Sequence, residues 1–115
     1  MSNKTSISIL ALTLVASGAI TNGRFVGPAG AQAAAAGNAL GVAKTDAAIG
    51  DLVAVTVMGT EITEAGAAIA ANALVEIDAA GRAVTKAAGV TVGRLAPGSA
   101  AGAAGDYVEV ILFPN

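Results

Sequence analysis

The stretch Gly50–Met58 reads GDLVAVTVM, and a similar stretch, GDYVEVILF, returns at Gly105–Phe113. In both stretches apolar residues alternate with other residues, which is typical of a β-strand with one buried face. In the first stretch, Val53, Val55 and Val57 fall on one predicted face. A Gly-Asp turn followed by a strand is therefore used twice, which predicts a fold built from two related β units.

Two further pairs of segments support this internal repeat. Ala19–Val26 resembles Ala68–Val75, and Leu40–Ala43 resembles Val92–Leu95. The spacing between equivalent residues grows from 49 positions (19 to 68) to 52 (40 to 92) and then 55 (50 to 105). The extra residues therefore fall between the repeated segments, where we expect loops. The repeated positions carry apolar alternation and no pattern of reactive side chains.

The composition indicates a small all-β protein. At 115 residues the chain has the length of one domain, so we expect residues 1–115 to form a single domain. Hydrophobic residues make up 55% of the chain but aromatic residues only 3%. Short alternating segments between Gly-rich turns predict a small β-sandwich or a partly open β-barrel with Ala/Gly-rich loops. Because so small a core is only marginally stable alone, we expect association with other proteins or copies.

Charge and residue types exclude several classes of function. The net charge is −2 and the six Lys and Arg residues are scattered, whereas nucleic-acid binding needs a basic face and stacking aromatic residues. We therefore expect no nucleic-acid partner, and no membrane partner, because no apolar run reaches the roughly 20 residues of a spanning helix. The absence of His and Cys rules out a Ser-His-Asp triad and thiol chemistry. We expect no enzyme, catalytic residue, cofactor or metal site.

The acidic residues are interpreted as structural. Asp51 and Asp106 each follow a Gly at equivalent repeat positions, where an Asp side chain accepts hydrogen bonds from backbone N–H groups of a turn. A catalytic carboxylate pair is the alternative. Calcium ligands are a second alternative for the acidic residues Asp46, Asp51, Glu61 and Glu64. They lack the dense spacing of a calcium loop, so they are expected to be solvated charges.

The N-terminal apolar segment has two interpretations. Ile7–Val15 follows Lys4 and precedes the small residues of Ala16–Ala19, an order that also occurs in secretory signal peptides. A β-strand is favoured, because apolar and small residues alternate on both sides of Leu10. The alternation changes phase at Leu10, and a β-bulge would absorb that change.

Much of the sequence resembles the capsid cement, or head decoration, proteins of tailed bacteriophages. The resemblance extends from about Ser8 to Pro114 and consists of strand and turn patterns, with no catalytic residues to transfer. The segments that carry it are Ala19–Val26, Leu40–Val55, Ala65–Ala70, Asp78–Val84, Val92–Leu95 and Ala104–Leu112.

The resemblance implies a structural virion protein that binds the exterior of the expanded phage capsid. Its partners would be the phage major capsid protein, whose neighbouring subunits it would bridge, and further copies of itself. Those copies would form a dimer or trimer at icosahedral two-fold or three-fold positions. The protein would be made in the bacterial host cytoplasm. The alternative is a secreted or surface-attached bacterial β-domain in which residues 1–19 act as a signal peptide.

The candidate contact residues lie in one polar segment, in loops and at arginines. Residues 1–6 are expected to form an extended arm, which can add a strand to the exposed sheet edge of a neighbour. Arginine binds carboxylates through two hydrogen bonds, and the loops near both candidate prolines are rich in Gly and Ala. The predicted contacts to the capsid or to sister subunits are Met1, Ser2, Asn3, Lys4, Thr5, Ser6, Arg24, Pro28, Arg94 and Pro97.

Overall fold

The structure, a computed structural model, describes residues 5–115. Eight β-strands pair antiparallel throughout, and no helix occurs within this range, so the expected all-β fold is confirmed. The strands are β1 (Ile7–Val15), β2 (Phe25–Val26), β3 (Gly41–Ala43), β4 (Leu52–Glu64), β5 (Leu74–Ile77), β6 (Ala83–Thr85), β7 (Gly93–Leu95) and β8 (Tyr107–Leu112).

The strands form one curled sheet that nearly closes into a barrel. The order across the sheet is β2-β3-β4-β8-β7-β5-β6. Strand β1 lies outside this order and pairs with the edge of β4 opposite to the edge that contacts β3 and β8. The two ends of the sheet meet where the N–H of Phe25 donates to the carbonyl of Gly81 at 2.8 Å. The N–H of Ala36 donates to the carbonyl of Ile77 at the same distance. Of the two predicted architectures, the structure is the partly open barrel.

The 13-residue strand β4 belongs to both repeated units. Its first half pairs with β1 on one edge, with Leu52 opposite Val15, and with β3 on the other edge. Its second half pairs with β8, with Glu64 opposite Tyr107. The pair Glu64–Tyr107 is equivalent in the repeat to the pair Val15–Leu52. The second half of β4 therefore corresponds to β1, and we call these two segments the opening strands of the second and the first unit. We call residues 7–58 the first unit and residues 59–113 the second unit.

Equivalent hydrogen bonds confirm the repeat. Ile20 and Ala47 exchange two backbone hydrogen bonds, with N···O distances of 2.9 and 3.0 Å. Ile69 and Ala101 exchange the same two bonds at 2.9 and 3.0 Å. The same pair of residues in each unit therefore joins the loop after the opening strand to the loop before the closing strand.

Backbone conformations repeat as well. Gly50 and Gly105 precede the two closing strands with φ of 90° and 93°, a region that favours Gly. Gly23 has φ of 78°, and its equivalent in the second unit, Asn72, has φ of 65°. Asn is among the few non-Gly residues that enter the left-handed region readily, so the turn survives the substitution.

Each unit has a core made of equivalent residues. All residues of both cores are buried. Within each unit their side chains lie on the same face of the sheet, which we call the core face. In the first unit they are Ala16, Ile20, Val26, Ala43, Ala47, Val53 and Val55. In the second unit they are Ala65, Ile69, Val75, Leu95, Ala101, Val108 and Val110.

The first unit also covers the core of the second. Phe25 and Val42 are fully buried within the core of the second unit, while their chain neighbours Val26 and Ala43 belong to the core of the first. Successive residues of a strand point to opposite faces of the sheet. The sheet of the first unit is therefore a wall between two cores, and we call its side towards the second unit the back face.

The N-terminal segment is a strand with bulges, as the favoured interpretation predicts. Ile7–Val15 pairs antiparallel with β4 along its length. The register shifts between Ser8 and Leu10 and again between Leu10 and Ala11, which confirms the bulge expected at Leu10. This segment is part of the folded sheet, and Ala16, which follows it, is buried in the first core.

Candidate functional site

The most exposed apolar surface of residues 5–115 follows β1. Eight of the nine β1 residues are exposed, which is unusual for a strand of Ile, Leu and Val. A contiguous exposed apolar surface on a small protein marks an interaction site. The exposed large apolar side chains of β1 and of the neighbouring strand β4 are Ile7, Ile9, Leu10, Leu12, Val15, Leu52 and Met58.

Within residues 5–115 the outer edge of β1 has no strand partner, because β1 pairs with β4 and with no other strand. The N–H of Ala16 donates to the carbonyl of Asp51 at 2.8 Å, so the polar backbone groups of Ala16 face β4. Because these groups alternate in direction along an antiparallel strand, those of Ala11, Thr13 and Val15 face away from β4. Such an edge is a template for pairing with another strand.

An apolar groove runs beside this strand. It has a volume of about 390 Å³ and is lined by Leu10, Pro28, Leu40, Met58 and Phe113, among others. The groove brings Pro28, a predicted contact residue, next to the β1 surface. Its lining is suited to apolar side chains of a protein partner rather than to a polar small molecule.

The C-terminal end of the predicted arm, Thr5 and Ser6, is anchored to the sheet. The N–H of Thr5 donates to Glu109 Oε1 at 3.3 Å, and the hydroxyl of Ser6 donates to Glu61 Oε2 at 2.8 Å. Thr60 adds a hydrogen bond from its hydroxyl to the carbonyl of Thr5 at 3.3 Å. Thr5 and Ser6 are both exposed. The other arm residues, Met1, Ser2, Asn3 and Lys4, lie outside the described residues.

Glu61 is a buried carboxylate at the junction of the two units. Burial by itself would raise the pKa of Glu61, but hydrogen bonds from Ser6, Thr56, the N–H of Ile62 and Lys44 outweigh burial and lower that pKa below its ordinary value. The ammonium of Lys44 lies 3.3 Å from Glu61 Oε2. Glu61 therefore stays ionised and connects the arm to both units, which differs from the solvated charge expected from the sequence.

Arg24, another predicted contact residue, takes part in an internal ion-pair network. Its guanidinium lies 3.3 Å from Glu64 Oε1, and Arg82 approaches Glu64 Oε2 at 3.5 Å. Arg82 is also paired with Asp78 at 3.0 Å. Arg24 also donates to the carbonyl of Ala80 at 3.4 Å. These bonds join the first unit to the β5–β6 turn, so Arg24 closes the barrel.

The remaining predicted contact residues are exposed and lie apart on different elements. Arg94 is on β7 and donates to the carbonyl of Asn72 at 3.1 Å. Pro97 lies in the loop after β7, and Pro28 lies in the loop after β2. The structure therefore joins Thr5 to Ser6 and Pro28 to the β1 groove, while Arg24, Arg94 and Pro97 lie elsewhere.

The repeated aspartates have the turn role that was favoured for them. Asp51 Oδ2 accepts a hydrogen bond from the N–H of Ala48 at 2.9 Å. Asp106 Oδ2 accepts from the N–H groups of Gly102 and Ala103 at 2.9 and 3.2 Å. Both carboxylates are thus engaged by the loop that precedes their own strand.

The acidic residues of β4 do not form a common site. Glu61 and Glu64 are separated by three positions and so lie on opposite faces of the strand. Between residues 5 and 115 no group of three or more acidic side chains is arranged to hold a metal ion. In the same range, no helix has the length and hydrophobicity needed to span a membrane.

The contact residues predicted from the sequence do not include the apolar side chains of β1. The predicted residues are those of the polar arm, two arginines and two loop prolines. On β1, however, Ile9 is 72% and Leu12 is 43% exposed. The signal was present in the repeat. Leu12 corresponds to Glu61 with the spacing of 49 that relates the opening strands, which marks a change of environment between the two units.

Comparison with known proteins identifies the family. The chain resembles the crystal structure of the head fiber gp8.5 N base of bacteriophage phi29, with a TM-score of 0.71, 19% identity and coverage of 90% of this chain and 93% of that one. At that identity the match shows a shared fold. No curated protein matches the chain. The family model described as phage cement protein matches residues 5–112. The chain therefore belongs to the phage cement protein family.

Proposed function

We propose that this protein binds the outer surface of the expanded phage capsid and stabilises it by bridging neighbouring major capsid protein subunits. Membership of the phage cement family already makes it a capsid-associated structural protein of a phage, and points to a non-enzymatic role. The observation that carries the finer proposal is β1, a nine-residue edge strand without a single charged residue. Its outer edge and apolar side chains are open to a partner.

The N-terminal half of β1 is the proposed capsid contact. Ile7 is 55% and Ile9 is 72% exposed. Complete burial of an Ile side chain contributes roughly 1.5–3 kcal/mol, and backbone pairing along a strand edge adds register and orientation. A capsid offers many identical sites, so a modest free energy at each site has a large effect on the whole shell.

Bridging requires two attachment points on one protein. The predicted arm directly precedes β1, and its described residues Thr5 and Ser6 are exposed and hydrogen-bonded to the sheet. If arm and edge contact different capsid subunits, the second contact forms at a high effective concentration, which raises avidity. Pro28, Arg94 and Pro97 are exposed and remain predicted contacts, as do Thr5 and Ser6.

Sedimentation with purified heads tests the proposal. Expanded heads that lack this protein are mixed with increasing amounts of it and pelleted, and unexpanded heads serve as the comparison. We expect saturable binding to expanded heads in a fixed ratio to the major capsid subunit. An apolar contact predicts weak dependence on salt. A steep loss of binding with salt, or equal binding to both head forms, contradicts the proposal.

A matched pair of variants locates the contact. Ile9→Ser removes an apolar side chain from β1, and Ile49→Ser removes one of equal exposure, 73%, from a loop. We expect Ile9→Ser to weaken head binding by roughly tenfold, the equivalent of about 1.4 kcal/mol. Ile49→Ser is expected to bind like the unaltered protein. Equal effects of the two substitutions would place the contact elsewhere.

A further inference from the structure

The core face of the first unit is only partly covered, while the same face of the second unit is fully covered. Glu61 and Thr63 lie on the opening strand of the second unit and are 7% and 0% exposed. Their equivalents in the first unit are Leu12 and Leu14. Leu12 is 43% exposed and Leu14 is half-buried. Two leucines are therefore more exposed than the polar residues that occupy the same positions in the second unit.

The cover on the second unit is supplied by the back face of the first. The hydroxyl of Thr56 donates to Glu61 Oε2 at 2.8 Å. At the end of the same strand, the carbonyl of Gly23 accepts from the N–H of Glu64 at 3.0 Å, and Arg24 forms its ion pair with Glu64. This junction consists of buried apolar residues, one edge hydrogen bond and polar pairs.

The back face of the second unit has no comparable cover. In the first unit the back-face residues Phe25, Val42 and Thr56 are each 0% exposed. Their equivalents in the second unit are, in the same order, Leu74, Arg94 and Ile111. Leu74 and Ile111 are half-buried, and Arg94 is exposed.

We propose that copies of this chain associate head to tail and repeat the internal junction between molecules. The back face of the second unit of one copy covers the core face of the first unit of the next copy. The internal junction is the model for this contact. The open core face of the first unit corresponds to the core face that the junction covers in the second unit. The open back face of the second unit corresponds to the back face that provides this cover in the first unit. The proposal concerns contacts between sister copies and does not depend on capsid binding.

At the end of β1, the two residues that would meet in this contact are chemically compatible. Internally, Arg24 pairs with Glu64. Their equivalents in the new contact are Ala73 and Val15. Both members of this ion pair are thus replaced by apolar residues, so neither of these two positions would bury a charge without a partner. Val15 is 59% exposed. Its N–H faces away from β4, just as the N–H of Glu64 faces away from β8 and donates to Gly23.

A second pair is matched in the same way. Internally, the hydroxyl of Thr56 binds the carboxylate of Glu61. The equivalents are Ile111 and Leu12, so a polar pair becomes an apolar pair. If only one member had changed, the new contact would bury an unsatisfied polar group at a cost in free energy. Joint replacement in both pairs fits a contact between sister copies.

The geometry differs from a symmetric pairing of two β1 edges. Each copy contributes two different surfaces, one from each unit, and such contacts close into a ring when the rotation permits. In the symmetric alternative, β1 meets β1 and the second unit takes no part. The role of Ile111 on β8 therefore separates the two arrangements.

Charge substitutions test the contact in purified protein. Leu12→Glu and Ile111→Lys are each expected to weaken self-association at least about tenfold, because each buries an unpaired charge. The double variant places Glu against Lys between copies and is expected to regain most of the lost association. Ile49→Glu is the control, because Ile49 and its equivalent Ala104 are both exposed. Sedimentation velocity gives the association, and circular dichroism verifies folding.

Disulfide crosslinking between copies is a second test, which does not require the charge variants to fold. The chain has no Cys, so Val15→Cys combined with Ala73→Cys introduces the only two thiols. We expect oxidation to link different copies and to give closed dimers or trimers on non-reducing gels. Either single variant is expected to give little product.

Several outcomes overturn the proposal. One is a wild-type protein that stays monomeric at about 1 mM, the weak end of specific association, together with a double-cysteine variant that gives no crosslink between copies. Another is a crosslink within one copy. A third is loss of association by Leu12→Glu with none by Ile111→Lys, which supports symmetric β1 pairing instead.

Discussion

The hydroxyl of Ser6 donates a hydrogen bond to Glu61 Oε2 at 2.8 Å and so ties the start of β1 to the junction between the two units. The same oxygen accepts from Thr56 at 2.8 Å and lies 3.3 Å from the Lys44 ammonium. Three segments that are distant in sequence therefore meet at one carboxylate. The stability of the junction depends on the charge of that carboxylate.

Stability is predicted to fall in acid partly through Glu61. Its pKa is lowered in the folded protein, so the ionised form contributes stability at pH values above its ordinary pKa of about 4.3. That contribution is lost as the pH falls through the lowered pKa. We expect Glu61→Gln to reduce the free energy of unfolding by about 1–2 kcal/mol at pH 7. The difference from wild type should shrink below pH 4, as urea titrations at several pH values can measure. A pH-independent difference contradicts this role.

Close strand contact is predicted to make Gly41 intolerant of a side chain. A Cβ at Gly41 would overlap the carbonyl of Thr56 on the neighbouring strand β4. We expect Gly41→Ala to lower the free energy of unfolding by about 1–3 kcal/mol, since two backbones must separate. Gly102→Ala is the control, because its Cβ would meet only Asp106 Oδ2 at 3.6 Å. Thermal unfolding of both variants measures the effect, and equal melting temperatures count against the explanation.

Removal of residues 1–6 is predicted to affect both stability and capsid binding. The truncation deletes the hydrogen bonds of Thr5 and Ser6 to Glu109 and Glu61. Ser6→Ala serves as the matched variant, because it removes one of these bonds and keeps the arm. We expect the truncated protein to decorate expanded heads less than Ser6→Ala does, as quantified by gel densitometry of sedimented heads. Full occupancy and affinity of the truncated protein would remove the arm from the capsid contact.

Two arginines are predicted to differ in their effect on stability. Arg24 links Glu64 to the carbonyl of Ala80 across the barrel closure, whereas Arg94 is exposed and bonds one carbonyl. We expect Arg24→Ala to lower the free energy of unfolding by about 1–2 kcal/mol and Arg94→Ala by less than about 0.5 kcal/mol. Urea unfolding compares them. If Arg94→Ala is the more destabilising, the assignment of Arg24 to barrel closure is wrong.

The sequence predicted the fold class and the repeat because both depend on local patterns. Apolar alternation at Gly50–Met58 and Gly105–Phe113 located β4 and β8, and the phase change at Leu10 located the bulge. The dual use of β4 was not predicted. It depends on long-range pairing with β1 and β8, and sequence periodicity does not reveal pairing partners.

The candidate site was harder to predict than the fold. Arg24 was selected because arginine binds carboxylates, and the carboxylate that it binds is Glu64 of the same chain. Leu12 was missed because an apolar residue in a strand is normally buried, and its exposure follows from the absence of a cover in the first unit. Whether a residue lies at the covered or the open end of a repeat depends on tertiary structure.

The sharing of β4 has a consequence for dissection of the protein. Cleavage of the chain within β4 would leave the N-terminal fragment without its closing strand or the C-terminal fragment without its opening strand. Neither fragment could then complete its own hydrogen-bonded ladder. We therefore expect no autonomous half-protein, and a single loss of structure on heating, since both halves melt when their common strand is released.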